Sequence, residues 1–169
     1  MTGGGAGAPL LLGIDPGLAN TGWALIDGGG RLATCGTIKT APGPIGPRLL
    51  LIAGEVRRVL RQNRVEEAAL EELFMGRNAT SAVAVAQARG VVLYALADAG
   101  VAVQEYKPSQ VKMVLTGYGK ADKQQMLRLV AMQAGAGHRM DDHAADAAAI
   151  AICHARSRRL RQLTRGATV

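Results

Sequence analysis

Acidic side chains occupy three places in the chain where an apolar segment begins or ends. They are Asp15 after a leucine-rich run, Glu71 with Glu72 after Ala68–Leu70, and Asp146 before the apolar stretch 147–152. Carboxylate oxygens are the ligands that Mg²⁺ and Mn²⁺ prefer. Two such ions roughly 4 Å apart can stabilise both the attacking and the leaving oxygen of a phosphodiester. Together these residues predict metal-assisted cleavage of phosphodiesters.

Each of the first two acidic motifs also has a simpler explanation. An Asp directly before Pro-Gly, as at Asp15, commonly starts a turn, and the two glutamates are compatible with full solvation. Because side chains alternate between the faces of a strand, Glu71 and Glu72 point in opposite directions. Spacing alone does not decide which of the two points inward.

The third motif reads DDHAAD from residue 141. On a helix, both His143 (i, i+3) and Asp142 (i, i+4) share a face with Asp146. The helix dipole favours carboxylates in the first turn, which explains Asp141 and Asp142. It explains Asp146 less well, because Asp146 lies beyond that turn.

The composition is that of a basic protein, and the length suits one compact domain. The 169 residues are 49% hydrophobic, and 20 Lys and Arg against 13 Asp and Glu give a formal charge of +7. A basic chain of this size often binds a polyanion, most commonly nucleic acid. The two cysteines, Cys35 and Cys153, form neither a zinc pattern nor a disulfide framework. With no signal peptide and no apolar run long enough for a membrane span, we expect a cytoplasmic protein.

Five short strands are predicted, four of them from apolar runs near turn signals. They cover residues 10–15, 22–27, 31–39, 68–70 and 101–105. The first three are separated by Pro-Gly and Gly-Gly-Gly, which predicts an antiparallel meander. The strand at 68–70 lies in the segment 67–73, whose composition also favours a helix. Asp15 closes the first strand and Glu71 follows the fourth, so both carboxylates stand at strand ends.

Helical patterns fill the rest of the chain, at 47–62, 78–99, 108–115, 122–134 and 141–160. Pro47 suits a first helical turn, and Asp122 suits an N-cap. The order β-β-β-α-β-α-β-α-α-α predicts an α/β fold with a five-stranded mixed sheet, three antiparallel strands plus crossover strands, flanked by helices. We expect one domain at 9–156 between a flexible tail at 1–8 and a basic tail at 157–169.

Several short motifs lie in order along about residues 10–155. They are Gly-Ile-Asp-Pro-Gly at 13–17 with Thr21-Gly22, Leu-Glu-Glu-Leu-Phe-Met-Gly-Arg-Asn at 70–78, Gln-Ala-Arg-Gly at 87–90, Gln-Val-Lys at 110–112 and His-Ala-Ala-Asp-Ala at 143–147. In this order and with these gaps they resemble the RuvC-type Holliday junction resolvases. The resemblance implies an RNase H-like fold, which agrees with the predicted order of strands.

The resemblance also implies an activity and partners. Members of the family are homodimeric nucleases that nick two opposing strands of a four-way (Holliday) DNA junction in recombination and DNA repair. The implied cofactor is Mg²⁺ or Mn²⁺, with two ions in each active site. The implied partners, besides junction DNA, are the branch-migration proteins RuvA and RuvB. The small residues of helix 78–99 suit either a dimer face or packing on the sheet.

At matching positions, the resemblance assigns the metal-binding and catalytic residues. They are Asp15, Glu71, His143 and Asp146, with Lys123 as a further catalytic residue. This assignment selects Glu71 over Glu72. His143 stands where members of the family carry Asp or His, and a neutral imidazole can bind a metal or accept a proton from water. Asp142 is the alternative for this fourth position.

DNA contacts follow from the same resemblance. They are Phe74, Arg77, Asn78, Arg89, Lys112 and Lys123. Phe74 is similar to a family aromatic that stacks on unpaired bases, a contact worth about 1–3 kcal/mol per base, with core packing as the alternative. Lys112 and Lys123 match lysines near the scissile phosphate, where an ammonium stabilises developing charge. The arginines from Arg156 to Arg165 either add non-specific DNA affinity or belong to a disordered tail.

Other functions fit the sequence less well. A junction-binding protein without catalysis would not need three carboxylates, and another RNase H-like nuclease would not need Phe74 with paired lysines. A phosphate loop at 117–120 is rejected, because Val114 replaces a required Gly and Ala121 replaces a required Ser or Thr. Actin-like ATPases share the first strand-turn, but they need two such domains, which 169 residues cannot supply.

Overall fold

A computed structural model describes residues 8–73, 79–134 and 140–166. Its elements are β1 Leu10–Asp15, β2 Asn20–Ile26, β3 Leu32–Lys39, α1 Ile45–Gln62, β4 Val65–Glu71, α2 Ala79–Asp98, β5 Ala102–Tyr106, α3 Pro108–Thr116, α4 Lys123–Ala134 and α5 Asp142–Gly166. This order is the one that the sequence predicts. α1 begins two residues earlier than expected, which still leaves Pro47 in the first turn, where a missing N–H costs no helical hydrogen bond.

The five strands form one mixed sheet in the order β3-β2-β1-β4-β5. β1 pairs antiparallel with β2, and β2 with β3, whereas β1, β4 and β5 run parallel. Ile14 of β1 lies opposite Leu70 of β4. The next residues, Asp15 and Glu71, therefore leave the sheet side by side at the same edge.

Helices cover both faces of the sheet. On one face, α1 and α2 pack on a cluster that includes Leu12, Ile14, Ile52, Val92 and Leu96. On the other face, α5 packs directly on the strands through a cluster of alanines and isoleucines, with α3 and α4 beside it. Ala, Val, Leu and Ile fill these interiors, as the scarcity of aromatic residues requires. Among the helices in the described ranges, none is both long and apolar enough to cross a membrane.

Two glycines let α5 approach the sheet unusually closely. A Cβ atom at Gly13 of β1 would overlap the main-chain carbonyl oxygen of Ala147. A Cβ atom at Gly22 of β2 would overlap the carbonyl oxygen of His143. Glycine inside a strand often marks such a close backbone contact. This contact holds the N-terminal half of α5 against β1 and β2, beside the acidic edge.

At its C-terminal end the structure differs from the sequence prediction. Residues 157–166 continue α5 instead of forming a separate tail. Arg158 binds Glu66 and Glu67 at the start of β4, with nitrogen–oxygen distances of 2.5 and 3.1 Å. Arg156 donates to the carbonyl oxygens of Val114 and Leu115 at the end of α3. These partners lie far away in sequence, which is why a local pattern of arginines did not reveal them.

Candidate active site

The predicted acidic residues line one cleft at the edge where β1 and β4 end. The cleft has a volume of about 300 Å³, and its lining residues are Asp15, Glu71, Pro108, Val111, Lys112, Lys123, Met126, Asp146, Ala149 and Ile150. Three carboxylates and two lysines therefore face a common space. Glu72, the neighbour that alternation left open, is exposed and does not belong to the lining.

Asp15 and Glu71 come from adjacent strands and are partly withdrawn from solvent. Burial, followed by the nearby charge of Asp146, raises the pKa of Asp15. Burial, followed by the charges of Asp15 and Asp146, raises the pKa of Glu71, while Lys112 acts in the opposite direction. In both groups burial is the larger cause, and the neighbouring carboxylates act in the same direction.

α5 supplies Asp146, and the start of α4 supplies a counter-charge for it. The Lys123 ammonium lies 3.4 Å from Asp146 Oδ2 and 3.4 Å from Asp142 Oδ2. The charge of Asp146 is the main reason why the pKa of Lys123 is raised. Lys123 therefore stays charged at neutral pH, beside the carboxylate that the sequence assigns to metal binding.

His143 and Asp142 differ clearly in their surroundings. His143 Nδ1 lies 3.5 Å from Asp15 Oδ2, across the gap between α5 and β1. The Asp142 side chain is 71% exposed and pairs with Lys123. Of the two candidates for the fourth position, His143 is the one placed next to Asp15.

The start of α5 is fixed by a cap, of which the sequence revealed the aspartate and not its distant partner. Asp141 Oδ1 accepts a hydrogen bond from the main-chain N–H of Ala144 (3.0 Å) and another from Thr37 Oγ1 of β3 (2.5 Å). The Thr37 hydrogen bond is the first cause of the lowered pKa of Asp141. An aspartate at this position is a recognisable N-cap, but the threonine lies about a hundred residues earlier and carries no local signal.

Arg89, expected to contact the DNA backbone, has a different environment. It is only 7% exposed. Its Nη1 donates to the main-chain carbonyl oxygen of Glu71 at 2.6 Å, and its Nη2 lies 2.6 Å from Glu105 Oε2. Both ends of the guanidinium are thus engaged inside the protein, and the expectation of a phosphate contact is corrected. Phe74, Arg77 and Asn78 lie outside the described residues.

The donors in the cleft fit a hard divalent cation. They are mainly the carboxylate oxygens of Asp15, Glu71 and Asp146, which line one partly buried cleft. In the described parts of the chain, no three His, Cys, Asp or Glu side chains already form a closed metal-binding group. Mg²⁺ commonly binds through one or two carboxylates and takes its other ligands from water and phosphate, so an open arrangement suits it.

Comparison with known proteins identifies the family. The family model described as crossover junction endodeoxyribonuclease RuvC matches residues 11–154. The chain belongs to the RuvC family. RuvC of Roseiflexus sp. is 50% identical over 153 residues, which cover 87% of this chain and 90% of that protein. RuvC of Chloroflexus aggregans is 48% identical over 149 residues, covering 85% of this chain and 91% of that protein.

Solved structures of RuvC share the fold. T. thermophilus RuvC in complex with a Holliday junction substrate has a TM-score of 0.84 and 36% identity, over 90% of this chain and 96% of that one. A second structure of Thermus thermophilus RuvC has a TM-score of 0.81 and 37% identity over the same shares of the two chains. The likeness to RuvC confirms the RNase H-like fold expected from the motifs.

Proposed function

We propose that the chain is a structure-specific endodeoxyribonuclease that resolves four-way DNA junctions in recombination and DNA repair. It nicks two opposing strands symmetrically, with the assistance of divalent metal ions. The observation that carries the proposal is the convergence of Asp15, Glu71 and Asp146 in one cleft of a RuvC-family fold. The likeness to a RuvC bound to a Holliday junction supports the choice of substrate.

Four side chains are proposed to hold Mg²⁺ or Mn²⁺, with two ions in the site. They are Asp15, Glu71, His143 and Asp146. When bound, the ions supply charge stabilisation to the attacking and the leaving oxygen of the phosphodiester. The position of His143 beside Asp15, with Asp142 turned towards solvent and Lys123, supports His143 as the fourth member.

The lysines of the cleft are proposed to act on the DNA itself. Lys123 and Lys112 line the same space as the carboxylates, where an ammonium can bind a phosphate and stabilise the charge that develops on it. Lys123 is proposed as a catalytic residue and Lys112 as a DNA contact. Stacking by Phe74 and DNA contacts by Arg77 and Asn78 remain proposals that rest on the resemblance alone.

Symmetric nicking requires two active sites, so we propose a homodimer acting on one junction. Exposed Val83 and Tyr94 on α2 support this helix as a candidate contact between the two copies. RuvA and RuvB are the proposed protein partners in the same process. Because the proposed substrate is DNA, we propose that the protein acts in the cytoplasm.

Cleavage of matched DNA substrates tests the proposed function. With Mg²⁺ or Mn²⁺, the protein should nick opposing strands of a labelled four-way junction and leave a linear duplex of the same sequence intact. EDTA should stop the nicking, because it removes the divalent cations that the carboxylates of the cleft would hold at the phosphate. Equal cutting of junction and duplex would rule out a junction resolvase.

A pair of alanine variants tests the fourth position. His143→Ala should lower the nicking rate by about 10²-fold or more if the imidazole binds metal or moves a proton. Asp142→Ala should change the rate less than about fivefold, since an exposed ion pair contributes about 1 kcal/mol or less. Single-turnover rates on the junction distinguish the two. Wild-type rates in both variants would remove this position from the active site.

A further inference from the structure

The guanidinium of Arg89 lies where α2, β4 and β5 meet. One side of it donates to the main-chain carbonyl oxygen of Glu71, and the other side binds the Glu105 carboxylate, both at 2.6 Å. Burial of a guanidinium is costly unless charged or polar partners compensate it. Here both partners are present at the short distances typical of charge-assisted hydrogen bonds.

The carbonyl that Arg89 binds belongs to the last residue of β4. In the next residue, the N–H of Glu72 still donates to the carbonyl oxygen of Tyr106 at 2.8 Å. The β4 strand ends at Glu71, so its carbonyl oxygen needs a partner from outside the regular ladder. Arg89 supplies that partner, and together with the Glu72–Tyr106 hydrogen bond it holds the peptide group next to the Glu71 side chain.

We propose that Arg89 is a positioning residue for Glu71. It holds the end of β4 so that the Glu71 carboxylate faces the metal-binding cleft, and Glu105 in turn orients the guanidinium. In this role Arg89 acts through Glu71 and not by contact with DNA or the reacting atoms. The inference rests on the proposed function, because the role of Glu71 as a metal ligand is part of that proposal.

The variants Arg89→Met, Arg89→Lys and Glu105→Gln test this role. Arg89→Met keeps an unbranched apolar side chain and removes both hydrogen bonds. It should raise the Mg²⁺ concentration needed for half-maximal nicking by about 10- to 100-fold, the range found when groups that orient metal ligands are removed. Arg89→Lys keeps one donor without the planar fork and should restore part of this loss. Glu105→Gln should give a smaller shift in the same direction.

Two measurements do not depend on nicking. Mn²⁺ binding to the protein without DNA, followed by electron paramagnetic resonance, should weaken in Arg89→Met and partly recover in Arg89→Lys. Junction binding in EDTA, measured by gel shift, should equal that of the wild type in every variant. A merely structural loss would lower the melting temperature without changing the affinity for Mn²⁺.

Arg158→Met provides the matched control. Arg158 also binds carboxylates of β4, Glu66 and Glu67, but at the opposite end of the strand from the cleft. Its removal should lower the melting temperature and leave the dependence on Mg²⁺ and Mn²⁺ unchanged. A shift in metal dependence equal to that of Arg89→Met would overturn the proposal, because the effect would then follow from any loosening of β4.

Three further results would also overturn the inference. Weaker junction binding in EDTA with normal Mn²⁺ affinity would make Arg89 a phosphate contact. If Arg89→Met folds and depends on metal as the wild type does, Arg89 has no positioning role at Glu71. If Arg89→Met does not fold, an unchanged metal dependence in Glu105→Gln and Arg89→Lys would have the same meaning. Failure of the wild type to cut the junction would instead contradict the proposed function, while the Mn²⁺ measurement still tests Arg89.

Discussion

Asp15→Asn is expected to lower the rate of junction nicking by at least about 10³-fold, since metal ions contribute several kcal/mol of charge stabilisation. Asp15 ends the central strand β1 and lines the cleft with Glu71 and Asp146. The amide keeps the shape of the side chain but loses the charge that attracts a divalent cation. Binding of the junction in EDTA should persist, because the lysines proposed to bind the phosphates are unchanged.

Without metal, the folded state of Asp15→Asn should be as stable as that of the wild type, or more stable. Burial, and then the charge of Asp146, raise the pKa of Asp15 in the folded state. The group therefore contributes stability that is present below the unfolded pKa and is lost as pH rises through the folded value. Asp15→Asn has no such loss, so its melting temperature in EDTA at neutral pH should equal or exceed that of the wild type.

Melting curves with and without Mg²⁺ complete this test. Mg²⁺ should raise the melting temperature of the wild type, because a ligand that binds only the folded state stabilises it. The rise should be much smaller in Asp15→Asn. Nicking at the normal rate by this variant would show that the metal-site assignment is wrong.

Gly13→Ala is expected to destabilise the fold by about 2–3 kcal/mol, within the range for overpacked sites. The added Cβ atom would overlap the carbonyl oxygen of Ala147 and meet Ala151 of α5. The atoms that it would meet are main-chain atoms and the Cβ atom of Ala151, so a change of rotamer cannot relieve the overlap. α5 must move outward, which carries Asp146 away from Asp15 and should also lower nicking.

Gly54→Ala is the matched control for this substitution. Gly54 lies on the exposed face of α1, and a Cβ atom there meets nothing within 4 Å. The change should raise stability by about 0.5–1 kcal/mol, because Ala loses less backbone entropy in a helix than Gly. Urea unfolding of both variants gives the comparison. Equal stabilities for Gly13→Ala and the wild type would show that α5 does not rest on β1 as described.

The sequence predicted the sheet and the acidic cluster because both depend on local patterns. The apolar run that ends at Asp15 and the one that ends at Glu71 each mark a buried strand, and strand order then places the two ends together. The choice of Glu71 over Glu72 needed the family resemblance. It agrees with the position of Glu71 in the cleft.

The parts that the sequence did not predict depend on distant partners. The family resemblance assigned Arg89 to a contact with DNA. Its burial depends on Glu105 and on a main-chain carbonyl, which leaves no trace in residue types. The length of α5 was missed for a similar reason, because the acids that neutralise Arg158 lie about ninety residues earlier. The capping contact from Thr37 to Asp141 spans a comparable distance.

The contact of α5 with Gly13 and Gly22 makes the separation of α5 from the sheet less dependent on residues elsewhere in the core. At most helix–sheet interfaces, side chains set the separation of the two layers, so each substitution shifts it slightly. Here main-chain atoms of the helix rest on the strands at both glycines. We therefore expect substitutions in the apolar cluster under α1 and α2, on the opposite face, to change the distance between Asp15 and Asp146 little. Thermostable variants of this nuclease are therefore best sought in the apolar cluster under α1 and α2.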